Sequence, residues 1–368
     1  MRVLLVIEPS GGGSGRNVID LAQALIQRGH EVSLIYSPIR ADPRFEAEAA
    51  ALSLHALHRL PMRRECGLWD IGTFLRLRSL ILRIGPFDLI HGHRAKAGAL
   101  ARLAAPFGAA RVYTPHALTT LDRSRPFRRV MGMIESLLAH AASDAVITVS
   151  PEEAAQARRW RFPDKRLYMI PHGVTLPDAS NRQAVRAALN LSQDAVVAGF
   201  IGRLIEQKDP VRFAAAIRAA SERDARVMGL MIGDGPLQEQ VRAAGGDAVR
   251  LLTDHDARLL LPALDMLVTP SRFEAMPHVL IEAALMGLPL LSTAVGGVTT
   301  VLDAGAQGQI LPLDASADQF ADAILDWADR PPYSVSEAFT DTFSIARMAD
   351  ETIAVYRKAF TVRHLAGA

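Results

Sequence analysis

The segment Pro270-Ser271-Arg272-Phe273-Glu274-Ala275-Met276-Pro277-His278-Val279-Leu280-Ile281-Glu282-Ala283 sets two carboxylates eight positions apart, across the junction between an irregular turn and an apolar, helix-forming run. That is the composition of a polar site, not of a core. Proline suits the first position of a helix, where its missing N–H costs nothing. The spacing therefore predicts Glu274 in the turn before a helix and Glu282 in its second turn, both facing one ligand. The N–H groups of the first turn and the helix dipole favour phosphate or another anion there. Carboxylates that accept from hydroxyls, beside amides that bind phosphate, describe a pocket for a sugar nucleotide.

Cations and glycines recur at comparable places. In Gly202-Arg203-Leu204-Ile205-Glu206-Gln207-Lys208-Asp209-Pro210, Arg203 and Lys208 converge on a diphosphate if the chain turns between them; the plain alternative is a solvated charge pair. Gly233-Asp234-Gly235-Pro236 reads as a tight turn into a helix. Gly11-Gly12-Gly13-Ser14-Gly15 follows the first apolar run, and such a loop lets backbone amides approach a phosphate or a sugar ring. As a dinucleotide fingerprint it is imperfect, because Tyr36-Ser37-Pro38 stands where an acidic ribose ligand belongs. His91, His93 and His116 sit at strand ends; without a carboxylate at ligand spacing they suit hydrogen bonding better than metal, and no metal or other cofactor is expected. His116 fits a sugar hydroxyl, while His91 and His93 also fit a role in holding loops. Arg94 and Lys96 are set to meet an acceptor phosphate or water.

These residues need elements to hold them. Val3 to Ile7, a helix from Arg16 to Arg28 and Glu31 to Tyr36 form a βαβ pattern. Runs at Leu89 to His91, Arg111 to Thr114, Ala145 to Val149 and Leu167 to Ile170 continue a parallel sheet covered on both faces. A connector over Pro171 to Ser192 precedes a second series at Ala195 to Ile201, Arg226 to Ile232, Val249 to Leu252, Met266 to Thr269 and Leu288 to Ser292. The fold class expected is α/β, with two Rossmann-like, doubly wound domains facing a cleft: residues 1–175, residues 176–342, and a last helix within 343–368 that crosses back to the first domain. Ligands in such sheets bind at the loops on the carboxyl ends of the strands, where the motifs fall.

With 368 residues, 49% apolar and 22% charged, the chain has material for two packed cores. Its single cysteine, Cys66, excludes an internal disulfide framework and suits a reducing compartment. The opening apolar run stops at Glu8, too short for a signal peptide, so a cytoplasmic location is expected. The uncharged stretch from Ala283 to Leu302 is broken by Gly287, Pro289, Gly296 and Gly297, which argues against a membrane span. Net charge is +2, yet residues 1–170 carry 24 Lys and Arg against 15 Asp and Glu, leaving 17 against 24 for the rest. A basic half suggests an anionic partner: a phosphorylated lipid, the inner leaflet or nucleic acid. Arg123, Arg125, Arg128 and Arg129 lead into a helix with Phe127, Val130, Met131, Ile134, Leu137 and Leu138; it fits either a lipid surface or burial on the sheet.

Taken in order along nearly the whole chain, the motifs resemble glycosyltransferase family 4, the retaining GT-B enzymes that use nucleotide sugars. Glu274 with Glu282 is similar to the family's paired glutamates, and Gly202-Arg203-Leu204 with Lys208 to its diphosphate-binding Arg and Lys. Gly233-Asp234-Gly235-Pro236 is similar to its glycine turn. The glycine-rich first loop, His91-Gly92-His93 with Arg94, Lys96 and Gly98, and Tyr113-Thr114-Pro115-His116 resemble its bacterial polysaccharide branch. The resemblance implies a catalytic set of His116, Glu274, Arg203 and Lys208. It implies donor binding by Gly202, Arg203, Lys208, Gly233, Asp234, Gly235, Glu274, Ala275, Met276, Pro277 and Glu282. Gly12, Gly13, Ser14, Gly15, His93 and Arg94 would form an acceptor or diphosphate loop.

Glu274 would hold donor-sugar hydroxyls, Glu282 the ribose, Arg203 and Lys208 the diphosphate. The partners implied are a nucleotide-sugar donor, a lipid-linked or oligosaccharide acceptor and peripheral contact with the inner membrane surface, without nucleic acid. Ala275-Met276-Pro277 departs from the commoner Gly-Phe-Gly or Gly-Phe-Pro, His172 stands where Asn is frequent, and Val298-Thr299-Thr300 lacks a common glutamate. Two other readings keep the residues but change the outcome: a sugar-nucleotide epimerase or phosphorylase of the same architecture, and a non-catalytic two-domain sugar-binding protein.

Overall fold

Apolar runs buried on both sides make parallel strands, and this chain supplies two sets of them. The computed structural model describes residues 1–122, 127–175, 181–253, 255–331 and 333–365. It divides into one unit of Met1–Val174 with the chain from Phe343 onwards, and another of Thr175–Thr342.

In the first unit, β1 (Arg2–Ile7), β2 (Glu31–Tyr36), β3 (Ala56–Arg59), β4 (Leu89–His93), β5 (Ala110–Thr114), β6 (Ala145–Thr148) and β7 (Leu167–Met169) pair in parallel in the order β3-β2-β1-β4-β5-β6-β7. Side chains of β1 alternate between two layers. Val3, Leu5 and Ile7 meet the helix Gly12–Gln27 through Val18, Leu21 and Leu25, and the helix Ile345–Leu365 through Met348, Ile353 and Tyr356. Leu4 and Val6 meet the helices Trp69–Ile84 and Ala95–Ala104 on the other face. A parallel sheet needs that double cover. The returning chain is stitched in by a parallel bridge between Val174 and Ser344, with Val174 N–H donating to the Phe343 carbonyl at 2.9 Å.

In the second unit, β8 (Val196–Ile201), β9 (Val227–Ile232), β10 (Val249–Leu252), β11 (Met266–Thr269), β12 (Leu290–Thr293) and β13 (Gly308–Leu311) run in the order β10-β9-β8-β11-β12-β13. Phe213 and Ile217 of the helix Pro210–Ser221, with Phe320 and Ile324 of the helix Ala317–Ala328, pack on Phe200, Met231, Val268 and Leu291. The α/β class and the two doubly wound parallel sheets expected from the sequence are present.

Four local differences have physical reasons. The short edge strands β3 and β13, with mixed and partly exposed residues, lack the continuous apolar run that marks the others. β4 extends to His93, so His91 and His93 lie within a strand. The expected loop Gly12-Gly13-Ser14-Gly15 is instead the first turn of a helix capped by Gly11. Gly15 is required there, since a Cβ would lie 1.8 Å from the Ser10 carbonyl oxygen. Pro277 caps the helix His278–Leu285 from one position outside it. Of the basic segment, Arg123 and Arg125 lie outside the described residues. No described helix is long and apolar enough to cross a membrane.

Candidate functional site

In both sheets the strand order reverses beside the first strand, between β1 and β4 and between β8 and β11. That switch point leaves a crevice at the carboxyl ends of the strands, the usual ligand position in such sheets.

In the second unit, the turns that follow β8 and β9 lie backbone to backbone. Leu204 N–H donates to the Asp234 carbonyl at 2.8 Å and Gly202 N–H to the Ile232 carbonyl at 3.0 Å. A Cβ on Gly233 would lie 2.0 Å from the Gly202 oxygen, and one on Gly235 2.5 Å from the Leu204 oxygen. Both have positive φ (148° and 157°), so glycine is demanded twice over. The Asp234 carboxylate is held by the Gly235 amide and the Gln238 side chain.

The loop after β11 comes to the same place. Lys208, whose methylenes lie over Gly202, pairs with Glu274 at 2.5 Å, both side chains largely shielded from solvent. Arg272 N–H donates to the Gln207 carbonyl and the Gln207 side chain to the Phe273 carbonyl, tying the two loops together. Gly296 and Gly297 press on this loop from β12: a Cβ on Gly296 would be 2.6 Å from the Glu274 oxygen, and one on Gly297 2.7 Å from Met276 Sδ. Ala275 and Met276 are buried, Glu282 is half-buried in the second turn of its helix, and Arg203 is exposed. Lys208, Glu274, Gly202, Gly233 and Gly235 thus meet at one place, with Met276 packed against Gly297 in the same loop.

In the first unit, His93 Nδ1 meets His116 Nε2 at 3.0 Å, and His116 Nδ1 meets His172 Nε2 at 3.2 Å. His91 is separately held by the Tyr356 hydroxyl at 2.7 Å and Thr114 Oγ1 at 2.8 Å. Burial lowers the pKa of all three strand-end histidines: His93 to about 3, and His91 and His116 well below the ordinary value. Burial thus favours the neutral imidazole in all three. Arg94, with φ of 71°, donates to the His116 carbonyl at 2.6 Å, and His116 itself has φ of 50°. Strain of that kind gathers at functional sites. Lys96 is not set towards an acceptor phosphate: its ammonium is taken by Asp70 at 2.9 Å and by the Glu65 carbonyl. Gly12 and Gly13 are exposed at the start of their helix, whereas Gly15 is buried. Among the described residues no three His, Cys, Asp or Glu side chains are placed to hold a metal ion.

The sequence family described as Glycosyltransferase Family 4 matches residues 11–176, and that described as Glycosyl transferases group 1 matches residues 195–330. A D-inositol 3-phosphate glycosyltransferase of Geodermatophilus obscurus is 30% identical over 305 residues, 75% of this chain and 67% of that one. The chain belongs to glycosyltransferase family 4. Its GT-B fold is shared with sucrose-phosphate synthase from Thermosynechococcus elongatus (TM-score 0.80, 23% identity, 98% of this chain and 100% of the other). It is shared too with Anabaena HepE solved with UDP-glucose (TM-score 0.74, 17% identity, both chains fully covered).

Three features of this family 4 glycosyltransferase escaped the reading of its sequence. The Gly296-Gly297 pair after β12 was a signal, but only as punctuation. His172 reads in the sequence as a departure without a partner; in the structure it joins His116 across 56 positions. Gln207, a link between loops, carried no signal.

Proposed function

We propose that the protein transfers a sugar, with retention at the anomeric carbon, from a nucleoside diphosphate sugar to a hydroxyl of a lipid-linked or oligosaccharide acceptor. The observation that carries this reading is the Lys208–Glu274 pair at the β8/β11 switch point, beside glycine turns packed backbone to backbone. Without ligand, cation and carboxylate neutralise each other. A diphosphate would draw Lys208 and Arg203 to itself and release Glu274 to accept from sugar hydroxyls, with Glu282 on the ribose. The HepE structure holding UDP-glucose supports a donor of that class. Negative charge grows on the leaving diphosphate as the glycosidic bond breaks, so Lys208 and Arg203, once drawn to it, and the N-terminus of the helix His278–Leu285 stabilise the transition state more than the bound substrate. Two cations at that position remove the need for a metal ion.

Retention follows if the acceptor hydroxyl attacks the face the diphosphate leaves, with the departing phosphate oxygen taking its proton. Glu274 and Glu282 then position substrate and form no covalent intermediate, unlike the carboxylate pair of a retaining glycosidase. His116 faces the transferred sugar on this reading. Both its ring nitrogens are engaged, so a sugar hydroxyl must take the place of His93 or His172. The basic first unit meets the acceptor, and a lipid-linked acceptor puts the protein peripherally at the inner leaflet.

Thermal-shift measurement with UDP, GDP and ADP and their sugar conjugates identifies the donor, because a ligand of the folded state alone raises apparent stability. With that donor, Glu274→Ala is expected to lower acceptor-dependent nucleotide release by about 100-fold or more, in the range for loss of one transition-state contact, with unfolding unchanged. Wild-type turnover by folded Glu274→Ala, or nucleotide release indifferent to acceptor, would overturn the assignment.

A further inference from the structure

The helix Arg128–Ala141 is mounted with its apolar stripe outward. The side it turns to the protein carries Gly132, Glu135, Leu138 and Ala139, and Glu135 is pinned there by Arg102 at 3.0 Å and the Tyr113 hydroxyl at 2.9 Å. Outward, and spaced by one helical face, stand Phe127, Val130, Met133, Ile134 and Leu137, with Phe127 70% and Leu137 66% exposed. A run of this kind facing water marks an interaction surface. Beside it a groove opens between this helix and the end of the helix Pro151–Arg159. Met133, Leu137 and His140 form one wall, Arg159, Trp160 and Arg161 the other. Trp160 can lie so close because the facing residue is Gly132, where a Cβ would be 2.5 Å from its ring.

The charges choose the occupant. Arg128 and Arg129 bound the stripe at one end, and Arg159 and Arg161 stand across the groove; none of the four makes an ion pair among the described residues. The helix's one carboxylate, Glu135, points inward. A second copy docked by two-fold symmetry would bring one such basic patch against another. An anionic leaflet offers hydrocarbon to the stripe and phosphates to the arginines.

We propose that this face is a membrane-docking surface: the stripe enters the headgroup boundary of an anionic leaflet, and the groove takes a lipid phosphate between Arg159, Arg161 and His140. This gives a surface and a lipid chemistry to the peripheral location, and it rests on the lipid-linked acceptor reading for its purpose only.

The test is flotation of the full chain with vesicles of phosphatidylcholine alone or mixed with phosphatidylglycerol. Wild type is expected on the mixed vesicles and off them in high salt. M133Q/L137Q is expected to stay in solution throughout. R129Q/R159Q is expected to bind the mixed vesicles about thirtyfold more weakly, the combined effect of two surface arginines. Failure of wild type to float, flotation of M133Q/L137Q like wild type, or a dimer in ultracentrifugation that M133Q/L137Q abolishes would overturn the proposal. The last result would give the face to a second copy. Thermal shift with UDP in lipid-free buffer separates the two readings: its retention in M133Q/L137Q leaves donor binding standing whatever the vesicles show, and its absence in a floating wild type counts against donor binding alone.

Discussion

His93 sits at the blind end of a directional chain. A neutral imidazole has one donor and one acceptor nitrogen, so the tautomer of His93 fixes that of His116 and in turn that of His172. His93 Nε2 has no partner among the described residues. Acid is therefore expected to destabilise the first unit. Burial holds His93 at about 3 against an ordinary 6.5, so its contribution is intact above 6.5 and is lost as pH falls below it. From pH 7 to 5.5 that is roughly 1.3 kcal/mol. His91 and His116 act in the same sense. Asp20, raised by burial to about 6, acts oppositely and returns roughly 0.8 kcal/mol over the same interval, and Glu153, also raised by burial, opposes the histidines too. The histidines outweigh Asp20, so urea unfolding should show stability falling from pH 7 to 5.5; a flat or rising profile would contradict the neutral chain. The residue types of this site were legible at strand ends. Their pairing was not, because contacts across 23 and 56 positions leave no periodic trace.

The elements were legible where one physical signal dominated. Strands buried on both faces read as unbroken apolar runs, which located β1, β2 and β8 to within a residue or so. Glycine opposes helix, so Gly12 to Gly15 read as a loop; the close approach of Gly15 to Ser10 prevails over that propensity. The helix Arg128–Ala141 showed its stripe but not its direction, which is decided by Arg102 holding Glu135 from another helix. The glycine turns make a sharper statement. Gly233→Ala drives a Cβ into the Gly202 carbonyl and is expected to cost about 2 kcal/mol or more in unfolding and to remove the thermal response to nucleotide. Gly108→Ala, which meets nothing within 4 Å, serves as the neutral control. Equal stability of the two variants would mean that the turns tolerate separation.

At the scale of the whole molecule, the first unit is built from both ends of the described chain. Met348, Ile353, Val355 and Tyr356 of the helix Ile345–Leu365 belong to the same core as β1. Each such side chain contributes roughly 1.5–3 kcal/mol when buried, so a chain ended at Thr342 is expected to lose the cooperative unfolding of the first unit. The second unit, closed within Thr175–Thr342, should keep its nucleotide-dependent thermal shift. Calorimetry on that shortened chain decides it, since an intact first transition would show the helix to be dispensable. The same arrangement governs synthesis on the ribosome. Val174 is made about 190 residues before Leu365, on the order of 10–40 s earlier at the usual elongation rate. During that interval the nascent front half exposes the apolar strip that its final helix will cover, while the domain made later matures first, so a chaperone that shields this strip has its window there.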